Sequence, residues 1–222
     1  MLMRIRQLIA NPSLLLHYLY ALPAILIGLT IHEWAHAYAA YKRGDPTAKN
    51  LGRMSLNPLV HLDIWGFLCL LFVGFGWAKP VPVNPRNFKN FRRDDVIVSL
   101  AGITANFITA CAVMILYALC LRLSPDMRGS AVFKSIVSNI IVINLSLMLF
   151  NLIPVHPLDG SHIFEILLLR RAPRVILFLR NYGMYILLAL LFFGVFNEAL
   201  SFLVNRIYIG LFTLAALLTG LH

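Results

Sequence analysis

Apolar stretches about twenty residues long recur through this chain and limit its fold more than any other feature. A helix rises about 1.5 Å per residue, so such a stretch covers a hydrocarbon layer of about 30 Å. In that layer each backbone N–H and C=O must find its partner inside the protein. The runs cover about residues 14–41, 96–121, 136–153, 175–196 and 199–221, and read as transmembrane helices. A hydrophobic share of 60% agrees with an integral, multi-pass membrane protein. The 222 residues suit one membrane-embedded domain. Cys69, Cys111 and Cys120 lie in apolar segments without metal-ligand spacing and read as small core hydrophobes.

The first run contains His32-Glu33-Trp34-Ala35-His36, an H-E-x-x-H pentad. On a helix, His32 and His36 lie one turn apart on the same face, so their imidazoles can converge on one zinc ion. Glu33 is then placed to take a proton from a metal-bound water. Such pentads also arise by chance, and the three could be polar residues satisfied between packed helices. Three ionisable groups within five residues of a membrane span are costly, however, and such groups are usually functional.

The formal net charge is +10. The cations sit mostly in short loops between apolar runs, a pattern of membrane topology rather than of nucleic-acid binding. Lys42-Arg43-Gly44-Asp45-Pro46 stops the first run. Residues 50–58 alternate apolar and polar and read as a short strand, with Arg53, Met54, Ser55 and Leu56 as its centre. A second candidate strand spans 77–84, including Lys79, Val81 and Val83, with Pro80 and Pro82 confining it to a sheet edge. Between them, residues 64–76 are apolar but too short for a span, as in a re-entrant segment. The cations Arg86, Lys89, Arg92 and Arg93 follow, suited to anchoring at a lipid surface.

A third ligand is offered by Asp159, in Asn151-Leu-Ile-Pro-Val-His-Pro-Leu-Asp-Gly160. Two prolines interrupt the helix there, and broken backbone at membrane depth is tolerated where it lines an enclosed cavity. A carboxylate at such a break suits the third protein ligand of a catalytic zinc; the alternative is a loop aspartate beside a turn glycine. The pentad and Asp159 can share a metal only if residues 64–76 enter and leave on one side. The same arrangement gathers Lys42, Arg43, Lys49, Arg53, Lys79, Arg86, Lys89, Arg92, Arg93, Arg170, Arg171 and Arg174 on that side, against only Arg4, Arg6, Arg122, Arg128 and Lys134 on the other. By the positive-inside rule the site opens toward the cytoplasm, as expected in a bacterial-type inner membrane.

Taken in order, these motifs closely resemble those of the site-2 protease family of zinc-dependent intramembrane proteases. The resemblance is carried by the pentad, by Gly52-Arg53-Met54-Ser55-Leu56-Asn57-Pro58 with His61 and Asp63, and by Trp77-Ala78-Lys79-Pro80-Val81-Pro82. It continues through Ala101-Gly102 with Asn106, Asn151-Leu152-Ile153-Pro154 and Leu158-Asp159-Gly160. It implies one zinc bound by His32, His36 and Asp159, with Glu33 as general base. It also implies a three-helix catalytic core (residues about 14–170) and, as substrate, the transmembrane segment of another protein. The expected architecture is all-α and polytopic, with about five spans, a short β element, a re-entrant segment and a C-terminal helical pair (about 175–221). The link 122–134 is too short for the PDZ module of many relatives, and no room remains for a CBS domain, so a minimal member is expected.

Other polar residues keep two readings. Asn106 and Asn151 either face the oxyanion and scissile carbonyl or bond between helices. Asn144 reads as packing glue. His156 and His162 flank Asp159 as loop histidines, with His156 also a rival ligand. One segment at 52–56 or 79–83 could clamp an unwound substrate by strand addition, or merely plug the site. Two rival functions use the same residues: a metal transporter or channel, and a catalytically inactive membrane scaffold.

Overall fold

The computed structural model describes residues 12–73, 76–168 and 171–221. Arg4, Arg6 and Arg170, counted above for topology, and residues 74–75 of the expected re-entrant segment lie outside the described residues. In order, the helices are α1 Pro12–Lys42, α2 Thr47–Asn50, α3 Ile64–Val73, α4 Phe91–Leu123, α5 Pro125–Gly129, α6 Ala131–Asn151, α7 Asp159–Leu168, α8 Pro173–Phe192 and α9 Val195–Thr219.

Local chemistry sets several boundaries. The Asn90 side chain accepts from Arg93 N–H at the start of α4, and Ser130 does the same for Phe133 at the start of α6. Pro173 opens α8, where its missing N–H costs nothing. Gly194 (φ 68°) separates α8 from α9, earlier than the sequence pattern placed the break. That positive φ strains any side chain, so the turn settles on the glycine rather than on the charged Glu198. Helix α4 also begins earlier than its apolar run: Arg92, Arg93, Asp94 and Asp95 are helical. Its 33 residues are about 50 Å long, well beyond the hydrocarbon layer, so polar first turns fit outside it.

Helices α1, α4 and α6 pack against one another as a three-helix core, α9 covers α4 and α6, and α7 rests on α4. Met114, Ile141, Leu145, Val204 and Ala215 fill the seam of α4, α6 and α9. Lipid is as apolar as these side chains, so close dispersion contact rather than water exclusion holds the seam. Among the described residues, α4, α6, α8 and residues 197–219 of α9 are long and apolar enough to cross a membrane. Helix α1, 31 residues long with Pro23 inside it, packs against both α4 and α6.

The expected β element is not formed: among the described residues there is no strand. Residues 51–57 are turns leading to a 3-10 turn at Pro58–Val60, and 76–84 has no regular structure. Pro58, Pro80 and Pro82 supply no N–H for a ladder, and Arg53 takes the carbonyls of Lys79 (2.7 Å) and Pro80 (3.3 Å) that a partner strand needs. Helix α3 is ten residues, about 15 Å, half the hydrocarbon thickness. Lys79 N–H donates to His61 C=O at 2.8 Å, so the chain enters and leaves α3 at one place.

This geometry predicts that cysteines at positions 49, 89 and 171 label from one side of the membrane and one at 126 from the other. The background lacks Cys69, Cys111 and Cys120, and impermeant maleimide reads the outcome. Opposite labelling of 49 and 89 would show that α3 crosses.

Candidate metal centre

Helix α1 presents His32 and His36 one turn apart, their ring centroids 4.5 Å apart and both rings buried. Their Nε2 atoms lie 3.0 Å from each other, and each is 3.2 Å from Asp159 Oδ2. The expected trio is thus gathered at one point, with Asp159 as the first residue of α7.

The outer nitrogens decide what the inner ones can do. His36 Nδ1 lies 2.8 Å from Val98 C=O, which can only accept, so that nitrogen carries a hydrogen. His32 Nδ1 lies 2.7 Å from Asn106 Oδ1. The Asn106 amide is oriented by its own bonds: Nδ2 donates to Gly28 C=O (3.1 Å) and to Asn144 Oδ1 (2.8 Å). Asn144 in turn donates to Ile140 C=O at 2.8 Å. The chain is fully satisfied only if His32 Nδ1 is the donor. Both Nε2 atoms then turn lone pairs inward toward a carboxylate oxygen that is buried without a hydrogen-bond partner. Three acceptors at this spacing repel unless a cation sits among them. Tetrahedral zinc, with bonds of about 2.0–2.1 Å, sets ligands about 3.3 Å apart, close to the separations found. The residues fit that metal.

Two glycines make the approach possible. A Cβ on Gly102 would lie 2.5 Å from His36 Nε2 and 2.6 Å from His32 Cε1, so a side chain there would fill the site. At Gly160 a Cβ would collide with the carbonyls of Leu152 and Ile153, where the loop after α6 folds back under α7. Two ion pairs fasten α7: His162 Nδ1 sits 3.0 Å from Asp95 Oδ2 on α4, and Arg180 of α8 grips Glu165 through two bonds of 2.9 and 2.6 Å. The Asp95 carboxylate holds the His162 imidazolium above the usual histidine range.

Glu33 stands apart from the trio: its Oε2 accepts from Val81 N–H at 2.7 Å. His156 is exposed and is not grouped with the trio. Asn151 donates through Nδ2 to Leu147 C=O of its own helix at 3.0 Å. Arg53 and Lys79 meet as described, while Met54 and Val83 pack on Ala37, Ala48 and Val81. Ser55 C=O contacts His61 Nε2 at 2.7 Å, and Leu56 is exposed.

Sequence reasoning missed the roles of Val98, Asp95, Arg180 and Asp45. The fully buried Asp45 bonds Thr47 and, at 2.7–2.8 Å, Asn84 N–H and Asn87 Nδ2, tying the end of α1 to the loop before α4. Burial works to raise its carboxyl, but these bonds outweigh it and hold it below the ordinary range. A run of asparagines around Pro85 was the available signal.

Comparison with known proteins agrees with this chemistry. The description "Peptidase family M50" matches residues 120–194, a stretch that includes Asp159 but not the pentad. "Putative zinc metalloprotease YwhC" of Bacillus subtilis is 45% identical over 148 residues, which cover 66% of this chain and 68% of that protein. The chain belongs to peptidase family M50, the site-2 protease family. Two proteins with the same printed description, Rip2, are more distant. That of Mycolicibacterium smegmatis is 28% identical, over 78% of this chain and 66% of its own length. That of Mycobacterium tuberculosis is 31% identical, over 63% of this chain and 54% of its own length. No solved structure matches the chain. This M50 member is a membrane zinc metalloprotease.

A Cβ at position 102 intrudes on both histidines, so Gly102→Ala is expected to weaken zinc affinity by at least about tenfold with helical content unchanged. Chelator competition on the purified protein reads the affinity, and wild-type affinity would show that the rings have room to move aside.

Proposed function

We propose that this chain is an intramembrane endopeptidase that hydrolyses peptide bonds within or beside transmembrane segments of other membrane proteins. The observation that carries the reading is the buried acceptor trio with a separate carboxylate, Glu33, beside it on a helix of the core. A zinc ion held by His32, His36 and Asp159 would lower the pKa of a bound water and polarise the scissile carbonyl. Glu33 takes the proton from the attacking water and hands it to the leaving amine. Asn106 keeps His32 in the tautomer that leaves Nε2 free. Both Asn106 amide hydrogens are committed, to Gly28 and Asn144, whereas among the described residues Asn151 makes one amide bond, to Leu147 C=O, which leaves its second N–H for a developing oxyanion. A metal-transit site gains nothing from a carboxylate held off the trio, which favours hydrolysis over transport.

In this reading α1 joins the other four long helices as the fifth span, and α3 is re-entrant. The cationic loops around Lys49, Lys89 and Arg171 face the cytoplasm. The bacterial sources of the relatives support a bacterial cell membrane. A substrate helix bonds its amides internally, so it must unwind locally before attack.

Glu33→Gln is expected to keep zinc while cleavage of a single-span substrate falls by about 10²–10⁴-fold, the usual contribution of a general base. Asp159→Ala is expected to lose both metal and activity. Metal analysis beside gel-based cleavage decides between the outcomes, and full zinc with normal cleavage in Asp159→Ala removes that residue from the site.

A further inference from the structure

The segment Lys79-Pro80-Val81-Pro82 is pinned beside the trio at every backbone donor it has. Proline carries no N–H, so Val81 offers the one donor between positions 80 and 82. That donor goes to Glu33 Oε2 at 2.7 Å, across 48 residues of sequence. Lys79 N–H is bonded to His61 C=O at 2.8 Å, and Arg53 holds the carbonyls of Lys79 and Pro80. Val81 is itself buried, with Ala37 and Ala48 beneath it. A slip of one residue in either direction would present a proline nitrogen to Glu33, so the pattern admits one register.

We propose that the Val81 backbone amide is a positioning group for Glu33. It fixes one carboxylate oxygen, keeps the carboxylate out of the trio, and leaves Oε1 to receive a proton. No hydrogen bond among the described residues reaches Oε1. Glu33 adjoins His32 on α1, and a loose carboxylate one residue from a ligand can swing onto the metal and close the open position. A charge-assisted bond from a buried backbone donor prevents this, and it is stronger than a bond between neutral groups. The flanking prolines serve the same end: they remove competing donors and stiffen the chain that carries the amide. The inference rests on reading Glu33 as the general base.

The test replaces Val81 by its α-hydroxy analogue through nonsense suppression. The ester retains the side chain and exchanges the N–H for an oxygen. Val81→Ala, which keeps the N–H, serves as the conservative variant. Each protein is assayed on a quenched-fluorescent single-span peptide, with zinc content and thermal unfolding measured alongside. The ester is expected to lower kcat about ten- to a hundredfold, the scale of a lost hydrogen bond to a charged group, with KM within about twofold and one zinc retained. Val81→Ala opens a small cavity over Ala37 and Ala48 but keeps the donor, so it is expected to lose clearly less kcat than the ester. A wild-type kcat in the ester overturns the inference, and so does a fall in Val81→Ala as deep as in the ester, or a rise in KM alone. A Glu33→Gln variant that still cleaves sinks the general-base reading itself. Loss in Glu33→Gln with a fully active ester sinks only the role of Val81.

Discussion

Everything around this site answers one constraint: two imidazole nitrogens and a carboxylate oxygen meet inside a helical bundle at a spacing that calls for a cation among them. His32 Nε2, His36 Nε2 and Asp159 Oδ2 come within 3.0–3.2 Å of one another. A buried polar group left unpaired costs several kcal/mol in an apolar medium, far more than a typical bond between membrane helices returns. The fold must therefore satisfy every neighbour of the trio so that only the trio remains open. The relay from His32 through Asn106 to Asn144 and Ile140, and the bond from His36 to Val98, do so. Each link also fixes a direction: once the last amide is oriented, the tautomer of His32 follows.

That constraint explains why the three core helices pack as closely as they do. Asn106 on α4 reaches α1 and α6 at once, so one fully buried side chain ties the whole core together. Gly102, one turn before it, gives the imidazoles the volume that any Cβ would occupy. The remaining acceptor of the trio comes from a different kind of element. Asp159 opens a short helix that depends for its place on Asp95 of α4 and Arg180 of α8. Helix α8 is thus coupled to the trio through α7, although it lies outside the three-helix core.

The segment between α3 and α4 has the opposite character. Its residues 76–84 have no regular secondary structure, yet the backbone of Lys79, Pro80 and Val81 is bonded to His61, Arg53 and Glu33. Prolines usually weaken a strand; here they select which single amide remains. The N–H groups of Lys79 and Val81 and the carbonyls of Lys79 and Pro80 are thereby committed. A substrate that adds to this edge as a strand must displace Arg53 from the carbonyls of Lys79 and Pro80.

The sequence by itself determined the apolar runs, the pentad and the break that carries Asp159. Hydropathy, helical spacing and proline are local properties, readable within a window of twenty residues or fewer. It also made α3 too short to span. It misjudged the strands and the α8–α9 boundary, because alternation around 52–56 and 79–83 is equally compatible with a chain whose backbone groups bond elsewhere. The tertiary structure decided the rest: that His32 answers to Asn106, 74 residues away, that Gly102 is the space for the imidazoles, and that Val81 finds Glu33. Those pairings depend on three helices and one irregular loop meeting at a point, and a meeting in space leaves no period in the chain.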